Sequence, residues 1–186
     1  MNILIVGKSA LGNELLKLCS DHTTTIVGKP EFDLSTKKDC NRLINDFSPD
    51  CVILTHGTIC EDSWEQLTTN FTSTIYLIEG FFRKMVTGQI ICVSSASVNW
   101  QSWPGISFKR MTYAVSKEAV SNYCAHLNRK NIPNDSTSVP ISIQVYEPNS
   151  FKSKMNNSTL PVSVPAKELR YLIDNPRVSL LRGLNR

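Results

Sequence analysis

The chain has 186 residues, of which 41% are apolar and 19% charged. That length suits one domain, residues 1–186 together, and that mixture excludes disordered and collagen-like chains. The net charge of +4 and pI near 8.7 fall short of the concentrated basic footprint of a nucleic-acid binder, and no run of Lys or Arg exceeds two.

Apolar runs alternate with helical patterns. Residues 2–6 read as a strand, and Leu11, Leu15, Leu16 and Leu18 follow at helical spacing. Residues 23–27 read as a second strand, ended by Gly28 and Pro30, and residues 32–34 as a short third. Ser35 then caps a helix running to Phe47. Residues 51–55 are nearly all apolar, as a strand buried on both faces should be. A long helix covers 63–85, and Gly88 breaks it before a strand over 89–94. A polar, aromatic loop reaches about residue 110, and a helix follows to about 128. Residues 141–146 form a sixth strand, and 166–174 a last helix. Residues 177–186 read as a strand or tail.

This alternation predicts an α/β fold: a Rossmann-like, doubly wound, mostly parallel sheet of six or seven strands with helices on both faces. Ligands of such a fold bind outside the carboxyl ends of the strands, at the switch point. Residues 150–186 remain as a minimal substrate side.

The six cysteines show neither C-x-x-C spacing nor a His at zinc-ligand spacing, so no metal is expected. Their usage fits a reducing compartment. With no signal-like segment and no spanning run, a soluble cytoplasmic protein without membrane or nucleic-acid partners is expected.

Four motifs carry chemistry. Gly7-Lys8-Ser9-Ala10-Leu11-Gly12 follows the first strand and opens a helix. A phosphate-binding turn needs Gly where the chain bends and where helix meets sheet, which Gly7 and Gly12 supply. Ser9 stands where a middle Gly would be. Tyr113 and Lys117 are spaced to share one helix face. An ammonium beside a phenol favours the phenolate, and a phenol titrating near the working pH exchanges protons with a substrate oxygen. Ser94, Ser95 and Ser97 sit at the end of the fifth strand, where a hydroxyl can bind a carbonyl oxygen. Asn70 lies inside the long helix, although Asn is a poor helix former.

Together, in this order, these motifs resemble the short-chain dehydrogenase/reductase family over roughly residues 1–155. Tyr113-Ala114-Val115-Ser116-Lys117 matches its Y-x-x-S-K. Leu54-Thr55-His56-Gly57 stands where the family has Asn-Asn-Ala-Gly. Pro148-Asn149-Ser150-Phe151-Lys152-Ser153 looks like its Pro-Gly stretch, with Asn149 replacing Gly and a terminal hydroxyl that touches the nicotinamide end. The resemblance implies a catalytic set. Tyr113 would be general acid/base, and Lys117 would hold the nicotinamide ribose and depress the Tyr113 pKa. Ser95 would orient the substrate carbonyl, with Ser97 in reserve, and Asn70 would fix a water in a proton relay. Gly7, Lys8, Ser9, Leu11, Gly12, Lys29, Asp33, His56, Gly57, Lys117, Pro148, Ser150 and Ser153 would contact the cofactor, Asp33 beside the adenine. His56 would line the pocket or cap a strand.

Residues 27–30 offer no acid to bind a ribose 2′-hydroxyl, whereas Lys8 and Lys29 could meet a 2′-phosphate. NADP(H) is therefore expected over NAD(H), although NAD remains possible. The substrate would be a small carbonyl or alcohol, walled by Trp100, Trp103, Pro104 and Phe108 or by a partner subunit. The helices over 63–85 and 113–128 would pair across a two-fold axis in a homodimer or homotetramer. A dinucleotide-binding sensor without turnover is the alternative.

Overall fold

The computed structural model describes residues 1–96, 105–130, 141–149 and 159–176. Its elements in chain order are β1 (Asn2–Val6), α1 (Ala10–Leu18), β2 (Thr23–Val27), α2 (Lys37–Asp46), β3 (Cys51–Leu54) and α3 (Ser63–Leu67). A π turn (Thr68–Thr72), α4 (Ser73–Lys84), β4 (Gln89–Val93), α5 (Phe108–Lys130), β5 (Ser142–Tyr146) and α6 (Ser163–Asp174) complete them.

The five strands form one parallel sheet in the order β2-β1-β3-β4-β5. The chain runs outward from β1 to β2, then crosses back to β3 on the other side of β1. The switch point therefore lies between β1 and β3. Alternate side chains feed two cores. Leu4, Val6, Val52, Leu54, Ile90 and Cys92 pack on one face with Leu43, Leu77, Ile78, Phe81 and Val120. Ile3, Ile5, Cys51, Ile53 and Ile91 pack on the other with Leu11, Leu15, Leu169 and Leu172. Burial on both faces is why these strands read as continuous apolar runs rather than alternating ones.

Three expectations change. Five strands are present among the described residues instead of six or seven, because residues 32–34 are not a strand. Phe32 and Leu34 are buried, which produces an alternating pattern, but the backbone there is used locally. The Phe32 amide donates to Gly28 O, and the Asp33 amide to the Asp39 carboxylate. The cap of α2 is Thr36, whose hydroxyl accepts from the Asp39 amide, while the Ser35 hydroxyl is taken by Asp33. The helix expected over 63–85 is also interrupted, and the interruption contains Asn70. Ser97, Trp100, Trp103, Pro104, Ser150, Ser153 and the stretch 177–186 lie outside the described residues.

Candidate active site

The turn after β1 depends on its two glycines. Gly7 has φ +123°, and a Cβ there would lie 2.6 Å from the His56 amide nitrogen. A Cβ on Gly12 would lie 2.3 Å from Gly7 O. These contacts let β1, α1 and the end of β3 meet without side chains between them. Ser9 is the N-cap of α1, its hydroxyl accepting from the Gly12 amide at 3.0 Å. Leu11 is buried in the core with Ile3 and Leu15, so its side chain supports the turn from beneath. Thr55, which the sequence marks only as a departure from a motif, ties the turn to β3 by donating to Gly7 O at 3.0 Å.

At the ends of β1 and β2 lie two ion pairs. Lys8 Nζ meets both Glu31 carboxylate oxygens, at 2.6 and 2.7 Å. Lys29 lies 3.4 Å from Asp33, whose carboxylate also accepts from the Ser35 amide and hydroxyl. The acid absent from residues 27–30 thus stands one residue further on, and its reach back to Lys8 is a tertiary contact that local spacing does not display.

The second half of the site is built on α5. Tyr113 and Lys117 sit one turn apart, with the ammonium 5.9 Å from the ring centre. Lys117 is only 4% exposed, and its ammonium donates to Val93 O at 3.1 Å and His56 O at 3.3 Å. Burial pushes its pKa down to about 8. The phenol of Tyr113 hydrogen-bonds the Ser95 side chain. Its pKa is raised by burial and eased back by that hydroxyl. The expected depression by Lys117 is absent, because the ammonium spends its bonds on two carbonyls and desolvation of the phenol dominates. Ser94 is engaged elsewhere, donating to Lys117 O at 3.1 Å.

Asn70 occupies the π turn, fully buried. Its Oδ1 accepts from the Thr58 amide and its Nδ2 donates to Thr58 O, both at 2.8 Å. The side-chain amide thus acts as a neighbouring strand would, holding the loop beyond β3. Gln66, one turn earlier and unmarked by the sequence, does the same: its Oε1 accepts from the Cys60 amide and its Nε2 donates to Lys109 O. Gly57 sits between the two halves; a Cβ there would meet Lys117 Nζ at 3.3 Å and Asn70 Oδ1 at 3.4 Å.

His56 is buried with its Nε2 2.9 Å from the Thr74 hydroxyl and 3.5 Å from the Ser73 hydroxyl. Those hydroxyls donate to Asn70 O and Thr69 O, which leaves their lone pairs for an Nε2–H. Burial, reinforced by the Lys117 charge, pushes the imidazole pKa down to about 3, so it is neutral. Pro148 is buried, and its carbonyl accepts from the Ala96 amide, joining the segments that follow β4 and β5. Among the described residues no cluster of His, Cys, Asp and Glu could hold a metal ion, and no helix is long and apolar enough to cross a membrane.

No family model matches the sequence, and no curated protein matches it. Solved structures do. A dehydrogenase/reductase from Sinorhizobium meliloti 1021 superposes with TM-score 0.78 at 17% identity, covering 96% of this chain and 90% of its own. A short-chain dehydrogenase from Burkholderia cenocepacia J2315, in complex with NADP, gives TM-score 0.78 at 13% identity, covering 95% and 92%. The 3-alpha-hydroxysteroid dehydrogenase from Pseudomonas sp. B-0831, complexed with NADH, gives 0.74 at 14% identity, covering 96% and 92%. With the five parallel strands and their switch point, these superpositions give the chain the fold of the short-chain dehydrogenases/reductases.

Proposed function

We propose that the chain is an NAD(P)-dependent oxidoreductase acting on a small carbonyl or alcohol, with residues 1–186 working as one nucleotide-binding domain. The observation that carries this reading is the Tyr113–Ser95 pair beside a buried ammonium, Lys117, at the carboxyl ends of the strands. A buried cation with two carbonyl acceptors suits ribose hydroxyls and a phosphate-bearing ligand. Glycines 7, 12 and 57 keep the floor of such a site free of side chains.

A bound nicotinamide supplies or accepts the hydride. Ser95 orients the substrate oxygen, and Tyr113 gives it a proton in reduction or takes one in oxidation. Lys117 holds the ribose, its ammonium already fixed by the carbonyls of Val93 and His56. Asn70 serves first to hold Thr58, and with it the loop on which His56 and Gly57 sit. Ser9 and Gly12 receive phosphate at the start of α1. Asp33 would lie on the adenine side, and Pro148 at the nicotinamide end. Lys8 and Lys29 favour NADP(H) over NAD(H), and tighter binding of NADH than of NADPH would refute that preference. The six free cysteines suit a reducing cytoplasm, and the exposed apolar residues of α3 and α5 suit pairing with a second copy.

The raised phenol pKa favours one competing reading, a dinucleotide sensor without turnover. Tyr113→Phe distinguishes the two. NADPH binding, followed by thermal shift, should survive in the variant. Reduction of aldehydes and ketones, followed by loss of NADPH absorbance, should fall by about two to four orders of magnitude. Absence of any shift with NADPH or NADH in the wild type would refute both readings. Binding with no turnover in the wild type would leave the sensor.

A further inference from the structure

The segments that leave β4 and β5 run side by side, and α5 lies against both. The Ser94 amide donates to Tyr146 O at 2.8 Å and the Ala96 amide to Pro148 O at 3.1 Å, which sets Ser95 and Glu147 in neighbouring strand exits. One side chain of α5 closes the triangle. Ser121 Oγ lies 3.1 Å from Glu147 Oε1, 2.9 Å from Ser94 Oγ and 3.2 Å from Lys117 O. We propose that Glu147, acting through Ser121, is a positioning residue for the Tyr113–Ser95 pair: it fixes where α5 stands against the ends of β4 and β5, and so how the Tyr113 phenol meets Ser95. The proposal rests on the oxidoreductase reading above.

Glu147 decides where the Ser121 proton goes. A serine hydroxyl has a single proton, and Ser94, Lys117 O and Glu147 all lie within its reach. The carboxylate is the strongest of these acceptors, because charge strengthens a hydrogen bond. Lys117 O also accepts from the Ser94 hydroxyl, at 3.1 Å. Without Glu147 the Ser121 hydroxyl would turn to Lys117 O, the ordinary back-bond of a serine inside a helix, and the tie to the end of β5 would be gone.

The tie sits next to the working turn of α5. Ser121 is one turn beyond Lys117, as Lys117 is one turn beyond Tyr113. The Lys117 carbonyl accepts from Ser94 and its ammonium donates to Val93 O, so both ends of this residue grip the last residues before Ser95. A slide or roll of α5 is therefore felt at the Tyr113–Ser95 contact. A second tie between α5 and β5 offers the contrast. Asn128 donates to Ile143 O at 2.5 Å, near the start of that strand and away from its carboxyl end. It supports the same helix without touching the residues around the site.

Glu147→Ala, Glu147→Gln, Ser121→Ala and Asn128→Ala test this, with thermal melts to follow folding. In the reduction of aldehydes and ketones by NADPH, kcat should fall by about tenfold in Glu147→Ala and Ser121→Ala, while KM for NADPH changes by less than about twofold. Glu147→Gln keeps the length and an acceptor oxygen, and its kcat should stay within about threefold of the wild type. Asn128→Ala should lower the melt yet leave kcat within about twofold. The Cζ resonance of Tyr113 in tyrosine-labelled protein, identified by its loss in Tyr113→Phe, should move in Glu147→Ala and stay in place in Asn128→Ala. Unchanged kcat and an unmoved resonance in Glu147→Ala, a Glu147→Gln as impaired as Glu147→Ala, or an Asn128→Ala as impaired as either would overturn the proposal and leave the oxidoreductase reading intact. A wild type that binds NADPH without turnover would overturn the oxidoreductase reading, and the Tyr113 resonance alone would then decide whether Glu147 positions the pair.

Discussion

Lys117 is the residue on which stability and function pull apart. Its ammonium is buried with two carbonyl acceptors, and burial pushes its pKa from 10.5 down to about 8. Below about pH 8 both folded and unfolded chains carry this proton, and the folded state bears the full cost of the buried charge. Between about pH 8 and 10.5 the unfolded chain binds more protons, so this group's contribution to stability improves with rising pH. Lys117→Met should therefore be more stable than the wild type at neutral pH, by about 1–3 kcal/mol, with the freed carbonyls reducing the gain. Denaturant midpoints should show that gap closing between about pH 8 and 10.5, while NADPH binding is lost. A variant less stable than the wild type at neutral pH, or a gap that ignores pH, would refute this account. The i, i+4 spacing of Tyr113 and Lys117 was legible in the sequence because a helix face is a local property. The sign of the Tyr113 shift was not, because it depends on what surrounds the phenol in three dimensions.

The π turn explains an element that the sequence reads as one helix. Residues 63–85 have helical spacing throughout, and nothing local announces a widened turn at Thr68–Thr72. Asn70 is the trace it leaves, a poor helix former that proves to be a strand surrogate for Thr58. π turns inside helices often mark functional sites, and this one carries the carbonyls that Ser73 and Thr74 bind beneath His56. Asn70→Ala would leave the Thr58 amide and carbonyl without these partners, at a cost of about 2–4 kcal/mol. Thermal melts should show that loss, and hydrogen exchange should show the amides of residues 57–60 opening. Unchanged exchange there would mean that the loop is held by other contacts. The false strand at residues 32–34 has the same root as the hidden π turn. Side-chain alternation and spacing are local, whereas the partners that decide strand against loop come from elsewhere, here Gly28 O and Asp39.

At the scale of the whole molecule, α5 is apolar on two sides. Val120 and Cys124 face the core, and Tyr113 and Lys117 face the site, which is enough to anchor the helix. Yet Phe108, Met111 and Val115, at i, i+3 and i+7, form a second stripe, and Phe108 is 84% exposed. Trp64 on α3 is 79% exposed, and the hydroxyl of its neighbour Ser63 lies 3.5 Å from that of Thr112, so these side chains belong to one surface. Large exposed apolar patches mark interaction sites, ligand grooves or aggregation liabilities. The pairing with a second copy proposed above would set this stripe against itself about a two-fold axis. Phe108→Asp places a charge in each copy at that contact. Sedimentation or solution scattering at high micromolar concentration should show a wild-type dimer or tetramer and a monomeric variant. Because Phe108 is exposed in the isolated chain, its replacement should change the stability of the monomer by no more than about 0.5 kcal/mol. The variant's melt should then fall only by the amount that association contributed, and with it the wild type's concentration dependence should disappear. A wild type that is already monomeric, or a variant that still assembles, would place the apolar stripe outside any interface between copies.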